Sequence, residues 1–311
     1  MADRPFPLQF TAFSTFDLPT NQKNTLPMKL RYVALLPLLF AAACSNDQSA
    51  DNSGDTLKKE TVTGTVEVLE SNSTLPSPLS VAAMFKRSGL KYLPGLTNGI
   101  EKASNYTITF VRAQNMGVYS ADMAYCVTNK QVNESQKLLK TIREVGNQIN
   151  LGKVFEGTNL FERFNNNLNN EDSLGSIIAE IQLQTDEQLE QNQQNELYGV
   201  IFAGAWVEAM YIGSEVYKKD GNEDIVGALL QQMAVCKNII AELKANESKD
   251  PGITPLIADL NSIQQAIDSI PAIKQLDENP DLDLKDVHPT KAELDPVIKK
   301  IEELRAKIVN G

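Results

Sequence analysis

Histidine is almost missing from this chain. There is one, His288, among 311 residues. It stands beside Pro289 in an acidic stretch, so a Ser-His-Asp triad would have to recruit it from a link. Three cysteines and no Cys/His cluster at ligand spacing leave zinc without a site. A Gly-rich phosphate loop is also absent from the sequence. No metal and no cofactor is expected. Aromatic residues make up only 6%, so a core must be built from Leu, Ile, Val and Ala. Positive charge is the scarcer sign, 29 Lys and Arg against 40 Asp and Glu, for a net charge of -11. That balance argues against nucleic acid and against an anionic membrane surface, since both recruit Lys and Arg.

What is present first is an address. Lys29 and Arg31 precede the apolar run Tyr32-Val33-Ala34-Leu35-Leu36-Pro37-Leu38-Leu39-Phe40, which exits through Ala41-Ala42-Ala43-Cys44. A basic head, a short apolar body and a small-residue exit make a secretory signal. The run is too short to span a bilayer, which takes ~20 residues. Cysteine at the cut resembles a bacterial lipobox, where the thiol receives a diacylglycerol and later further acyl chains such as palmitate. One chain anchors marginally and several anchor stably. The expected order is an upstream extension over 1–27, a signal peptide over 28–43 starting at Met28, and a flexible polar tether over 44–75. A short strand over 60–69 is a weaker option within that tether. The expected place is the outer membrane, on its periplasmic or surface face, with the lipid on Cys44 as the membrane link.

From residue 76 onward the pattern is helical. Pro76-Ser77-Pro78 opens a helix that Gly89 ends, and Leu93-Pro94-Gly95-Leu96-Thr97-Asn98-Gly99 is a turn-rich connector. Apolar periodicity then predicts helices over 105–127, 132–149, 159–168, 174–191, 196–217, 223–245, 255–269 and 291–308. Residues 246–290 read as a possible link to a C-terminal helical segment, with Pro271 ending a helix. The helices over 105–127 and 196–217 are apolar nearly all round, as central helices are. The expected fold is an all-α bundle with these two at its centre.

Polar residues inside those two helices carry the chemical question. Arg112, Asn115, Tyr119, Asp122 and Cys126 are spaced three, four, three and four apart, so they share one face. Glu208 lies between Trp206-Val207 and Ala209-Met210, with Tyr211 close by. Gly204, one turn earlier, would admit a backbone or a ligand. A carboxylate in such surroundings is costly unless paired. One reading is a polar pocket with Asp122 and Glu208 as acid and base or ligand contacts. The other is a structural network in which Arg112, Arg163 and tyrosine hydroxyls satisfy them. Cys126 and Cys236 pack as small hydrophobes and are expected unpaired, although an oxidising compartment permits a disulfide. The asparagine-rich stretch 161–174 suits caps, or a carbohydrate or peptide contact.

Three segments also resemble uncharacterised lipoproteins of the Bacteroidota. They are Phe85-Lys86-Arg87-Ser88-Gly89-Leu90-Lys91-Tyr92-Leu93-Pro94-Gly95-Leu96-Thr97-Asn98, Gly117-Val118-Tyr119-Ser120-Ala121-Asp122-Met123-Ala124-Tyr125, and the stretch 161–174. The resemblance implies a helical envelope lipoprotein and no reaction. The function expected is therefore binding or scaffolding by a lipid-anchored protein, with an unspecified protein or small-molecule partner. A ligand-binding protein or enzyme using Asp122 and Glu208 is the alternative.

Overall fold

The computed structural model describes residues 75–156, 159–279 and 282–311. The extension over 1–27, the signal peptide over 28–43, Cys44, the strand over 60–69 and all of the tether but Leu75 lie outside these residues. The described residues belong to one compact unit. Among them are eleven α-helices and no strand, so the chain is all-α. These are α1 (Pro78–Arg87), α2 (Thr109–Thr128), α3 (Val132–Asn147), α4 (Leu160–Asn166), α5 (Glu171–Gln191) and α6 (Glu196–Asp220). They continue as α7 (Glu223–Met233), α8 (Cys236–Ala245), α9 (Ile253–Asp268), α10 (Pro271–Glu278) and α11 (Lys291–Asn310).

Local chemistry sets the boundaries. Ser77 caps α1 by accepting the Ser80 N–H at 3.1 Å, and Pro78 takes the first helical position, where no N–H is needed. Asn170 caps α5 through the Ser173 N–H at 3.1 Å. Gly221, at φ +63°, ends α6 with its N–H on the Tyr217 carbonyl at 2.8 Å. Thr290 and Glu293 form a reciprocal capping box at the start of α11.

Two helices make the centre. α2 and α6 are buried on almost every side and pack most extensively against each other. They cross with backbones nearly touching. A Cβ on Gly117 would collide with the Ile201 carbonyl oxygen, and one on Gly204 with that of Gln114. Around this pair, α1, α3 and α5 lie against α2, while α7, α8 and α11 lie against α6. α6 is long and apolar enough to cross a membrane by composition, yet most of that stretch is buried inside the fold, as in a core helix.

Three expectations change in detail. The helix expected over 223–245 is two, α7 and α8, separated by a turn at Ala234-Val235. Pro271 does not merely end α9; it occupies the first turn of α10. Residues 246–290 contain α9 and α10, and α9 packs on α8 and α11 with Leu256, Leu260 and Ile263 buried.

Candidate functional site

The polar face of α2 meets a strap, residues 90–99, running between α1 and a 3-10 turn at Ile100–Asn105. Asn115, Tyr119, Asp122 and Cys126 are all fully buried. The Asp122 Oδ2 accepts the Asn98 backbone N–H at 2.9 Å. The Tyr119 hydroxyl donates to the Gly99 carbonyl at 3.0 Å. Further along, the Tyr125 hydroxyl accepts the Leu93 N–H at 2.7 Å and donates to the Lys91 carbonyl at 3.1 Å. Tyr92 stacks on Tyr125 with ring centroids 5.4 Å apart. Asn115 donates to the Ile308 carbonyl at 2.8 Å and so holds the end of α11. The strap has no sheet or helix ladder of its own, and these side chains supply partners for its inward-facing backbone groups, among them that of the buried Asn98.

Glu208, also fully buried, meets Arg305 of α11. Nε and Nη2 of Arg305 each lie 2.9 Å from a different Glu208 oxygen, the paired geometry of a guanidinium on a carboxylate. Nη2 also donates to the Leu96 carbonyl at 3.3 Å, and the guanidinium stacks 4.2 Å above the Tyr211 ring. Arg305 thus joins α6, α11 and the strap.

The two buried carboxyls lie close enough that each shifts the ionisation of the other. Burial and the adjacent Glu208 charge push Asp122 well above the usual carboxylate range. Burial also raises Glu208, against the bond and charge of Arg305. Burial holds Tyr119 and Tyr125 above the ordinary tyrosine value, and it pushes the thiols of Cys126 and Cys236 up to about 12. Both cysteines are free and buried, so neither is poised as a nucleophile.

The residues singled out from sequence do not all converge. Asn115, Tyr119 and Asp122 line the strap, and Glu208 and Tyr211 meet at Arg305. Arg112 instead donates to the Tyr106 carbonyl at 2.9 Å, which fixes the entry to α2. Arg163 pairs with Glu180 at 2.8 Å, linking α4 to α5 on a partly exposed surface. Gly204 receives the backbone of Gln114, not a ligand. In the asparagine-rich stretch, Asn170 caps α5, Asn165 accepts from Gln136 at 2.9 Å, and Phe161 lies under Arg143.

Three members of the network were not foreseen: Arg305, Asn98 and Tyr106, whose hydroxyl donates to the Val309 carbonyl at 3.1 Å. The signal for Arg305 was available. Leu294, Ile298, Ile301, Arg305 and Ile308 are spaced four, three, four and three apart, which puts a guanidinium on the buried stripe of α11.

Two cavities flank this core. A groove of about 380 Å³ lies between the strap and the end of α6, lined by Leu93, Pro94, Leu96, Glu215, Lys218 and Lys219. A smaller apolar cleft of about 70 Å³ lies between α2, α5 and α6, with Asp186 as its one charged side chain. Neither is lined by Asp122 or Glu208. Among the described residues, no group of His, Cys, Asp and Glu is arranged to hold a metal ion. No family profile, no curated protein and no solved structure matches the chain.

Proposed function

We propose that this chain is a lipid-anchored envelope protein that acts by binding or scaffolding rather than by catalysis. The observation that carries the reading is the closure of its most reactive-looking groups. Glu208 is engaged on both oxygens by Arg305, Asp122 holds the strap, and neither lines the groove or the cleft described above. The anchor rests on the sequence Ala41-Ala42-Ala43-Cys44 and on the resemblance to lipoproteins of the Bacteroidota. The binding surface best supported is the groove beside the strap. Its volume lies in the range of ligand clefts, roughly 300–1,000 Å³, and Lys219 and Leu96 stand in its wall.

The test uses the full chain in a bacterium that processes lipoproteins. The wild type should incorporate labelled palmitate and sediment with membranes, and Cys44→Ala should do neither. A photo-reactive side chain at Leu96 should form discrete adducts in intact cells, and Lys219→Glu should weaken them. Membrane association of Cys44→Ala would overturn the anchor. A turnover that Asp122→Asn and Glu208→Gln both abolish, with the fold intact, would overturn the binding reading in favour of an enzyme.

A further inference from the structure

The buried site contains two carboxyls and one guanidinium, and that count does not balance without a proton. Glu208 spends both oxygens on Arg305 at 2.9 Å. Asp122 spends Oδ2 on the Asn98 N–H. Its Oδ1 is buried and takes no bond from any N–H or hydroxyl among the described residues. The neighbour it does have is the other carboxyl. Two carboxylates buried side by side, with one guanidinium already spent on the second, do not both stay ionised.

We propose that Asp122 and Glu208 share a single proton, carried on Asp122 Oδ1 and donated to Glu208, and that this proton latches the strap to the bundle. With it in place the cluster is neutral overall, a carboxylic acid beside a carboxylate–guanidinium pair. Asp122 Oδ2 is then free to hold Asn98, while Arg305 is free to hold Leu96. Loss of the proton puts a second negative charge beneath the strap. The groove wall formed by Leu93, Pro94 and Leu96 is part of what the latch holds.

Other titratable groups facing Asp122 do not replace the proton. Arg305 of α11 is committed to Glu208. On α2, Tyr119, Tyr125 and Cys126 are held neutral by burial, and so is Tyr92 of the strap. Lys102, from the 3-10 turn, acts on Glu208, and its ammonium reaches out to Asn310 at 3.3 Å.

The direction follows from linkage. The folded state keeps a proton that the unfolded chain releases, so stability is greatest in acid and falls as pH rises towards the folded-state value for Asp122. Asp122→Asn copies the protonated acid. Its amide can donate to Glu208 while its oxygen accepts from Asn98, so it should fold.

The experiment compares the full chain with Asp122→Asn and Glu208→Gln. As pH rises above the ordinary carboxylate range, the unfolding constant of the wild type should rise relative to Asp122→Asn, by at most about tenfold per pH unit. In an Asp186→Asn background, which removes the other raised carboxyl, the chain should show the infrared carbonyl band of a protonated carboxyl at neutral pH, and adding Asp122→Asn should abolish it. Glu208→Gln lets Asp122 ionise against Arg305, so the band should vanish there too. Amide exchange over residues 91–99 should accelerate with pH beyond its intrinsic rate in the wild type only. Parallel pH profiles of wild type and Asp122→Asn would overturn the proposal. So would a band that survives Asp122→Asn, since the proton would then sit on another group.

Discussion

At the scale of the residue, the costs of breaking the network are unequal, and that inequality can be measured. Arg305→Ala leaves Glu208 and Asp122 facing each other with no cation. Stranding a buried charge costs about 3–5 kcal/mol, so this variant should lose a large part of a typical 5–15 kcal/mol stability. Asp122→Ala leaves the Glu208–Arg305 pair intact and orphans the Asn98 N–H, a loss of about 1–3 kcal/mol. Urea unfolding of both variants should rank them in that order; equal losses would mean that the three groups do not act as described. A second titration is separable from the latch. Asp186 stands half-buried in the small cleft, and burial alone raises it to about 6. Because the folded value lies above the unfolded one, its contribution is present in acid and is lost as pH climbs through about 6. Asp186→Asn should therefore raise the melting temperature at pH 8 and leave it nearly unchanged at pH 4, as differential scanning fluorimetry would read it. Sequence spacing was enough to find Asp122, Tyr119 and Asn115 on one face, because a helix fixes that geometry over four residues. It did not choose their cation. Arg112, Arg163 and Arg305 are alike in isolation, and the last pairs across 97 positions of chain that only tertiary packing closes.

At the scale of the element, the closeness of α2 and α6 depends on two missing side chains. Gly117→Ala and Gly204→Ala each press a methyl into the backbone of the facing helix. Overpacking of this kind costs about 1–3 kcal/mol, and backbone cannot swing aside as a side chain does. Each single variant should lower the urea midpoint, and the double variant should fall short of the sum, because the sites meet at one crossing. A pair of variants as stable as the wild type would mean that the helices do not approach so closely. Most helices were legible from their 3.6-residue apolar period, including both central ones. The turn at Ala234-Val235 was not, since neither residue is a helix breaker and the apolar stripe runs on through it. α10 was missed for the opposite reason. Proline ends one helix and begins another equally well, and the pattern alone does not say which.

At the scale of the whole molecule, the described body is one helical unit whose sides are fastened by its late-coming helix. α11 contributes Arg305 to Glu208, its Ile308 carbonyl to Asn115, its Val309 carbonyl to Tyr106, and Lys307 to Asp259 of α9. A chain cut after residue 290 should therefore lose cooperative unfolding and yield to protease, even though both central helices are intact. Retention of a sharp transition in that truncation would show that α11 is an accessory. Most of these fastenings were outside the reach of sequence, since they join residues 97 to 203 positions apart and several use backbone carbonyls. The same arrangement orders events in time. Before α11 docks, the chain holds the two acidic groups and not yet their counter-ion. Bringing α2 and α6 together early would bury charge without relief. Docking of α11 is therefore what lets the interior close without stranded charge.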